Sequence, residues 1–432
     1  MSTPTLLITG ATLADGTTTD VLVTDGTISE LGTGLDAPKD AERIDAGGLT
    51  LLPGLVDLHT HLREPGREDA ETIATGAAAA AVGGFTAVLA MANTNPVTDT
   101  AEAAERVLDL GRAAGLVDVQ PIGAVTKGLA GEELAELALM HRSRATVRVF
   151  SDDGRCVHDS RVMRRALEYV RAFGGVVSQH AQDPALAGAS ACCHEGELSG
   201  RLGLPGWPAV AESSVIARDA QLAQHTGSRV HVAHVSTAEG VEVVRWAKSR
   251  GIDLTAEVTP HHLLLTQDRL ATYDPTFKVN PPLRPSEDVE AVRAALADGT
   301  IDAVATDHAP HARHDKEHAF VDAAFGMLGL ETAFAVVHDT MVRSGAMDLA
   351  TLVERMSVAP ARIAGLTDHG RAVEAGAPAN LVLVDTEATR TVDATASKSL
   401  SRNNPWDGMS LTGAVHTTIL RGRVTARDGE TA

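Results

Sequence analysis

The sequence predicts an α/β fold: a parallel (β/α)8 TIM barrel carrying a small β-sheet domain formed from both chain termini. Three observations predict it. Eight short β-rich runs alternate with Ala, Glu and Arg-rich stretches between about residues 53 and 370. Both ends of the chain alternate apolar and polar residues between Asp-Gly turns. Residues of metal-ligand type recur at the ends of the β-rich runs, where a barrel of this kind keeps its chemistry.

The N-terminal stretch LLITGATLADGTTTDVLVTDGTISELG has the texture of short antiparallel strands joined by tight turns. NLVLVDTEATRTV and TTILRGRVTARDG repeat that texture near the C-terminus. Residues 1–52 and 371–432 are therefore expected to form one composite β-sandwich domain, with residues 53–370 as the barrel. The barrel strands read, in order, LVDLHTHL, FTAVLAMA, VDVQPIGAV, ATVRVFSDD, GVVSQHA, RVHVAHVS, IDLTAEVTP and IDAVATDHAP. Stretches such as AEAAERVLDLGRAAG and SRVMRRALEYVRAFG supply the helices between them.

At 432 residues and 44% hydrophobic content the chain can bury one large core and a smaller one. Its 57 acidic against 37 basic residues give a net charge of −20, which disfavours nucleic acid and anionic membrane surfaces as partners. Thr72 to Thr98 carries no charged side chain. It is Ala and Gly-rich, is broken at Gly83-Gly84 and ends in NTNP, so it reads as a buried helix followed by a strand rather than a membrane span. The opening MSTPTLLITG has no basic start followed by a long apolar segment, and Cys156, Cys192 and Cys193 form no spaced zinc or disulfide framework. A cytoplasmic protein with reduced thiols is expected.

The first run places His59 and His61 two apart, on one face of a strand, where two imidazoles can converge on one metal ion. HTH by itself also occurs as two hydrogen-bonded core histidines, the lesser of the two readings. Asp152-Asp153, His180, His234 and Asp307 end four further runs, and five strands ending in N or O ligands are hard to explain as isolated structural groups. The donor types suit Zn²⁺. Four histidines and two carboxylates exceed what one tetrahedral zinc needs, so two metals sharing a bridging carboxylate and hydroxide are expected. Arg63, two residues past His61, has the planar fork that binds a carboxylate, or it pairs on the surface with Glu64 or Glu68.

Taken together, the PG-x-VD-x-H-x-H start, the single histidines ending later strands and the final TDHAP resemble the cyclic amidohydrolases of the amidohydrolase superfamily. Within it, HLREPG, AMANTNP, FSDDG, FKVNPPLR, TDHAPH and AFGMLGLET are similar to dihydroorotases of the longer bacterial type, over nearly the whole chain. The resemblance implies reversible, zinc-dependent interconversion of N-carbamoyl-L-aspartate and (S)-dihydroorotate in de novo pyrimidine synthesis. It also implies a metal set of His59, His61, Asp153, His180, His234 and Asp307. Asp153 is the implied bridge because it directly precedes Gly154, where hydantoinases and allantoinases carry a carboxylated lysine; Asp152 is the alternative.

Asp307 is the expected general base and acid. The resemblance carries His61, Arg63, Asn93 and His311 over as substrate contacts, with Asn280, Phe325 and Gly326 at the amide edge of the ring. Without it, Asn93 reads as a turn residue and His311 as a solvated loop histidine. HARHDKEHAF reads as a mobile polar lid with solvated His314 and His318, and His261 and His262 as structural. Two further readings follow from the family: a hydantoinase or allantoinase, and a catalytically silent partner of aspartate transcarbamoylase. The filled ligand positions favour an active enzyme, which can still associate with that partner, and a homo-oligomer, a dimer, is expected.

Overall fold

The computed structural model describes residues 5–432. The first four residues of the composite terminal unit and of the stretch read for a leader lie outside the described residues. Eight parallel strands form the barrel: Leu55–Thr60, Phe85–Ala90, Asp118–Pro121, Val149–Phe150, Val176–Gln179, Arg229–Val232, Leu254–Val258 and Ala303–Val304. They pair as one group of three and one of five, joined by parallel bridges Thr60 to His308 and Gly123 to Phe150. Each is fully or largely buried, as a parallel strand covered by helices must be.

Helices begin where polar caps end the preceding loop. Thr72, Thr100, Asp159 and Thr237 each accept a backbone N–H of the first turn with the side-chain oxygen. The charge-free stretch resolves into the helix Ile73–Val82 and the second barrel strand. No helix among the described residues is long and apolar enough to cross a membrane. The main core joins strand residues such as Val88, Val177 and Val232 to helix residues such as Ala80, Leu167 and Ile216. A second apolar cluster, including Leu58, Leu89, Val149 and Val176, packs on Ile363 and Ala364 of the helix Ala359–Ala364.

Strands from both ends of the chain share one nine-stranded sheet. Thr50–Pro53, just before the first barrel strand, pairs antiparallel with Leu381–Thr391 and parallel with Leu6–Leu13. The sheet has its own core of Leu6, Ile8, Val21, Ile28, Leu51, Leu381 and Ile419.

A buried acidic side chain reinforces the barrel closure. Asp57, in the first strand, accepts the backbone N–H of Thr306 at 3.0 Å and of His59 at 3.1 Å, and the Thr306 hydroxyl. One acidic side chain thus ties the first strand to the end of the eighth. Asp57→Ala strands these donors without water and is expected to cost about 2–4 kcal/mol. The check is a lower denaturant midpoint with an unchanged slope; a shift corresponding to less than about 0.5 kcal/mol would contradict the clamp.

Candidate metal centre and active site

The six sequence-expected ligands come together at the C-terminal ends of their strands, and all are buried. Two of them leave their strands in an unusual conformation: His234 has φ 35° and Asp307 φ 47°, with Arg63 nearby at φ 61°. The left-handed region disfavours L-residues with side chains, and such positions gather where a site over-determines them. Here the twist turns each side chain from the strand into the barrel mouth.

Asp153 stands at the centre. Its Oδ2 faces His59 Nε2 at 3.4 Å and His61 Nε2 at 3.3 Å, while its Oδ1 faces His180 Nδ1 at 3.3 Å and His234 Nε2 at 3.2 Å. Asp307 Oδ1 lies 3.1 Å from His61 Nε2 and 3.5 Å from His59 Nε2. The donors therefore fall into two groups that share one carboxylate, His59–His61–Asp153 and Asp153–His180–His234. Asp152 turns away: it accepts the N–H groups of Val125 at 2.8 Å and Thr126 at 3.0 Å, and the Thr126 hydroxyl. It fixes the loop after the third strand.

The donors fit divalent metal ions. His59 Nε2 is buried and has no hydrogen-bond partner although it points at two carboxylates, an arrangement that costs free energy unless a proton or a metal cation takes the lone pair. Burial works to raise the carboxyl of Asp307, but His59 and His61 outweigh it and hold the group well below the usual range. Asp153 behaves alike under His59, His180 and His234. Both carboxylates are thus anionic, as ligands must be.

The candidate ligand rings are oriented from behind, for the most part by residues that the motif reading left out. Glu257, in the seventh strand, meets His59 Nδ1 with Oε1 at 2.9 Å and His231 Nε2 with Oε2 at 3.0 Å. His231 in turn reaches the Thr255 hydroxyl at 2.8 Å. Against burial, the two imidazoles bring Glu257 down to about 2. Gln182 Oε1 accepts from His180 Nε2 at 2.7 Å, and Asn93 Oδ1 from His61 Nδ1 at 2.9 Å. A glutamate inside the apolar run IDLTAEVTP, and a second histidine in RVHVAHVS, were the available signals.

A cleft of about 170 Å³ opens beside the cluster, lined by His61, Arg63, Asn93, Asn280, His311 and the Phe325-Gly326 backbone, among others. Every residue that sequence reading placed around a substrate borders it. Arg63 Nε donates to the Pro310 carbonyl at 2.9 Å, which aims the guanidinium, and no pairing with Glu64 or Glu68 is formed. His311 Nε2 lies 2.6 Å from the Phe325 carbonyl and 3.2 Å from the Arg63 guanidinium. Burial and Arg63 push His311 down to about 2, so the ring is neutral. Asn280 donates Nδ2 to Gln182 at 2.9 Å and leaves a buried Oδ1 without a partner. His314 is exposed and His318 likewise, while His261 and His262 are buried. His261 is held near 4 by burial.

Glu257→Gln keeps the shape but replaces one acceptor with a donor, so His59 loses its fixed tautomer. Zinc affinity, measured by chelator competition, is expected to fall about 10–100-fold. Unchanged affinity would show that Glu257 serves folding alone.

Comparisons with known proteins identify the family. Residues 48–240 match the family model described as Dihydro-orotase-like. A relative from Streptomyces coelicolor named dihydroorotase is 60% identical over 425 residues, covering 98% of this chain and 99% of its own. Another from Mycobacterium tuberculosis, also named dihydroorotase, is 56% identical over 416 residues and 96% of each chain. Among solved structures, L-hydantoinase (dihydropyrimidinase) from Arthrobacter aurescens superimposes with a TM-score of 0.87 at 29% identity, covering 100% of this chain and 98% of that one. Dihydropyrimidinase from Brevibacillus agri, at 24% identity and a TM-score of 0.86 over 99% of this chain and 96% of that one, shares the fold. The fold is shared with these solved structures, but identity near 60% along almost the whole of both chains goes beyond a shared architecture, and this chain belongs to the dihydroorotase family.

Proposed function

We propose that this chain is a zinc-dependent dihydroorotase that interconverts N-carbamoyl-L-aspartate and (S)-dihydroorotate in pyrimidine synthesis. The observation that carries the reading is the pairing of a two-lobed donor cluster with a cleft that offers a half-buried guanidinium and an unpartnered amide oxygen. The names of the relatives at 60% and 56% identity support the same reaction.

His59, His61 and Asp307 with one oxygen of Asp153 would hold one ion, and His180 and His234 with the other oxygen a second. Bound there, zinc supplies Lewis acidity and makes water a competent nucleophile near neutral pH. Arg63 binds the substrate carboxylate, and supplies locally the positive charge that a chain of net charge −20 lacks. Asn93 keeps its Nδ2 for the same carboxylate, since its Oδ1 is engaged by His61. Neutral His311 completes this end of the cleft without opposing Arg63. Asn280 Oδ1, unpartnered and buried, accepts a ring N–H. Asp307 takes the proton of the attacking water and returns it to the ring nitrogen as the amide bond breaks.

The test is the loss of dihydroorotate absorbance on adding zinc-loaded protein, alone and with aspartate transcarbamoylase. Turnover supports the proposal; none in either mixture would overturn it. Asp307→Asn is expected to lower kcat about 10²–10⁴-fold with metal content nearly intact, because a carboxamide cannot carry the proton. A near-normal rate would remove Asp307 from the role. Arg63→Ala is expected to raise KM for dihydroorotate about 10-fold or more with a smaller change in kcat, and an unchanged KM would exclude the clamp.

A further inference from the structure

The loop from His311 to Phe320 is polar, of mixed charge and placed at the cleft, which are the marks of a freely moving lid. The structure holds it from beneath. Lys316 ends the short helix Arg313–Lys316 and is only 9% exposed. Its Nζ donates to three backbone carbonyls: Ala324 at 2.8 Å, Gly326 at 3.1 Å and Lys278 at 3.4 Å. Lys278, 2% exposed, donates its own Nζ to the Val321 carbonyl at 2.7 Å and stands 4.3 Å over the Phe325 ring. Two buried lysines therefore grip residues 321–326 together.

Packing alone does not explain them. Lysine normally keeps its ammonium in water, and a buried ammonium facing neutral carbonyls is costlier than an apolar side chain of equal size. Asp274 and Asp315 act on Lys316 only through space, and burial, followed by the nearby Lys278, holds it down to about 7. What the ammonium supplies instead is geometry, three N–H groups for three carbonyls. Gly326 needs that control: its φ is 142°, and a Cβ there would meet the Ala309 Cβ at 2.8 Å and His311 Cδ2 at 2.9 Å. The Gly326 N–H is committed to the Lys278 carbonyl at 2.9 Å, and its own carbonyl also accepts Asn403 Nδ2 at 3.1 Å. His311 rests on the Phe325 carbonyl and Arg63 on His311, so a shift of this backbone passes to the carboxylate end of the cleft.

We propose that Lys316 is a positioning residue for the substrate: its ammonium fixes the Phe325-Gly326 backbone, and through it His311, while holding the 313–326 loop in place beside the cleft. The proposal rests on the dihydroorotase reading for its substrate but not for its loop. Lys316→Met keeps the volume and removes all three donors. KM for dihydroorotate is expected to rise about 10-fold or more, with kcat within about 3-fold and metal content unchanged. Limited proteolysis should nick the chain faster between residues 313 and 322. Where Lys316→Met fails to fold, Lys316→Arg is read instead; one nitrogen of a planar guanidinium cannot serve three carbonyls, and the same two changes are expected. A folded variant with unchanged KM and unchanged proteolysis would overturn the proposal, as would a fall in kcat at constant KM. The protease readout needs no turnover, so failure of the substrate reading and failure of the loop clamp remain distinguishable.

Discussion

The carboxylate of Asp153, set between two pairs of imidazoles, is the interaction on which the rest of the site depends. Its two oxygens divide the donors brought by four strands into two lobes, each close enough to share a cation. The aspartate reaches this position from the loop just after the strand Val149–Phe150, one residue before Gly154, whose φ of 77° turns the chain away. Charge balance does the remainder: anionic carboxylates facing buried imidazole nitrogens in the barrel mouth make a donor set suited to a cation.

Holding such groups in register requires rigidity, and the barrel gets it from other buried carboxylates. Asp57 joins the first strand to the eighth, Asp152 anchors the loop after the third, and Glu257 orients His59 through its Nδ1. Glu212 accepts the N–H groups of Ser236 at 3.1 Å and Thr237 at 3.0 Å, just beyond His234. Asp57, Asp152 and Glu212 satisfy backbone donors that a strand end would otherwise leave unpaired where water cannot reach, and Glu257 does the same for two imidazoles. The strained φ values at His234 and Asp307 persist because these clamps over-determine the rim. Part of the chain's acidic content is thus structural, while the Arg63 guanidinium borders the cleft.

Much of this was legible in the sequence. The eight barrel strands are visible as short β-rich runs because a parallel strand, buried on both faces, has to be apolar along its length. Ligands are visible because a polar residue at the end of such a run is out of place. His59 and His61, two apart, do share a face, as strand geometry requires. Less legible was everything that acts through a second residue. Glu257 and His231 lie inside runs already read as strands, and only the distance across two strands shows that they form a relay. Lys316 was hidden for the opposite reason: its surroundings, HARHDKEHAF, are those of a solvated loop, and burial comes from carbonyls of residues 278, 324 and 326 that fold under it. Asn93 was read as a substrate contact, while the structure also uses its oxygen to orient His61.

The central claim is that a single carboxylate organises two metal sites. Elemental analysis of zinc per chain, on the natural protein and on Asp153→Ala purified side by side, tests it most directly. The account predicts about two equivalents in the natural chain and no more than about one in the variant. A natural chain without zinc, or a variant that keeps both equivalents, would contradict it.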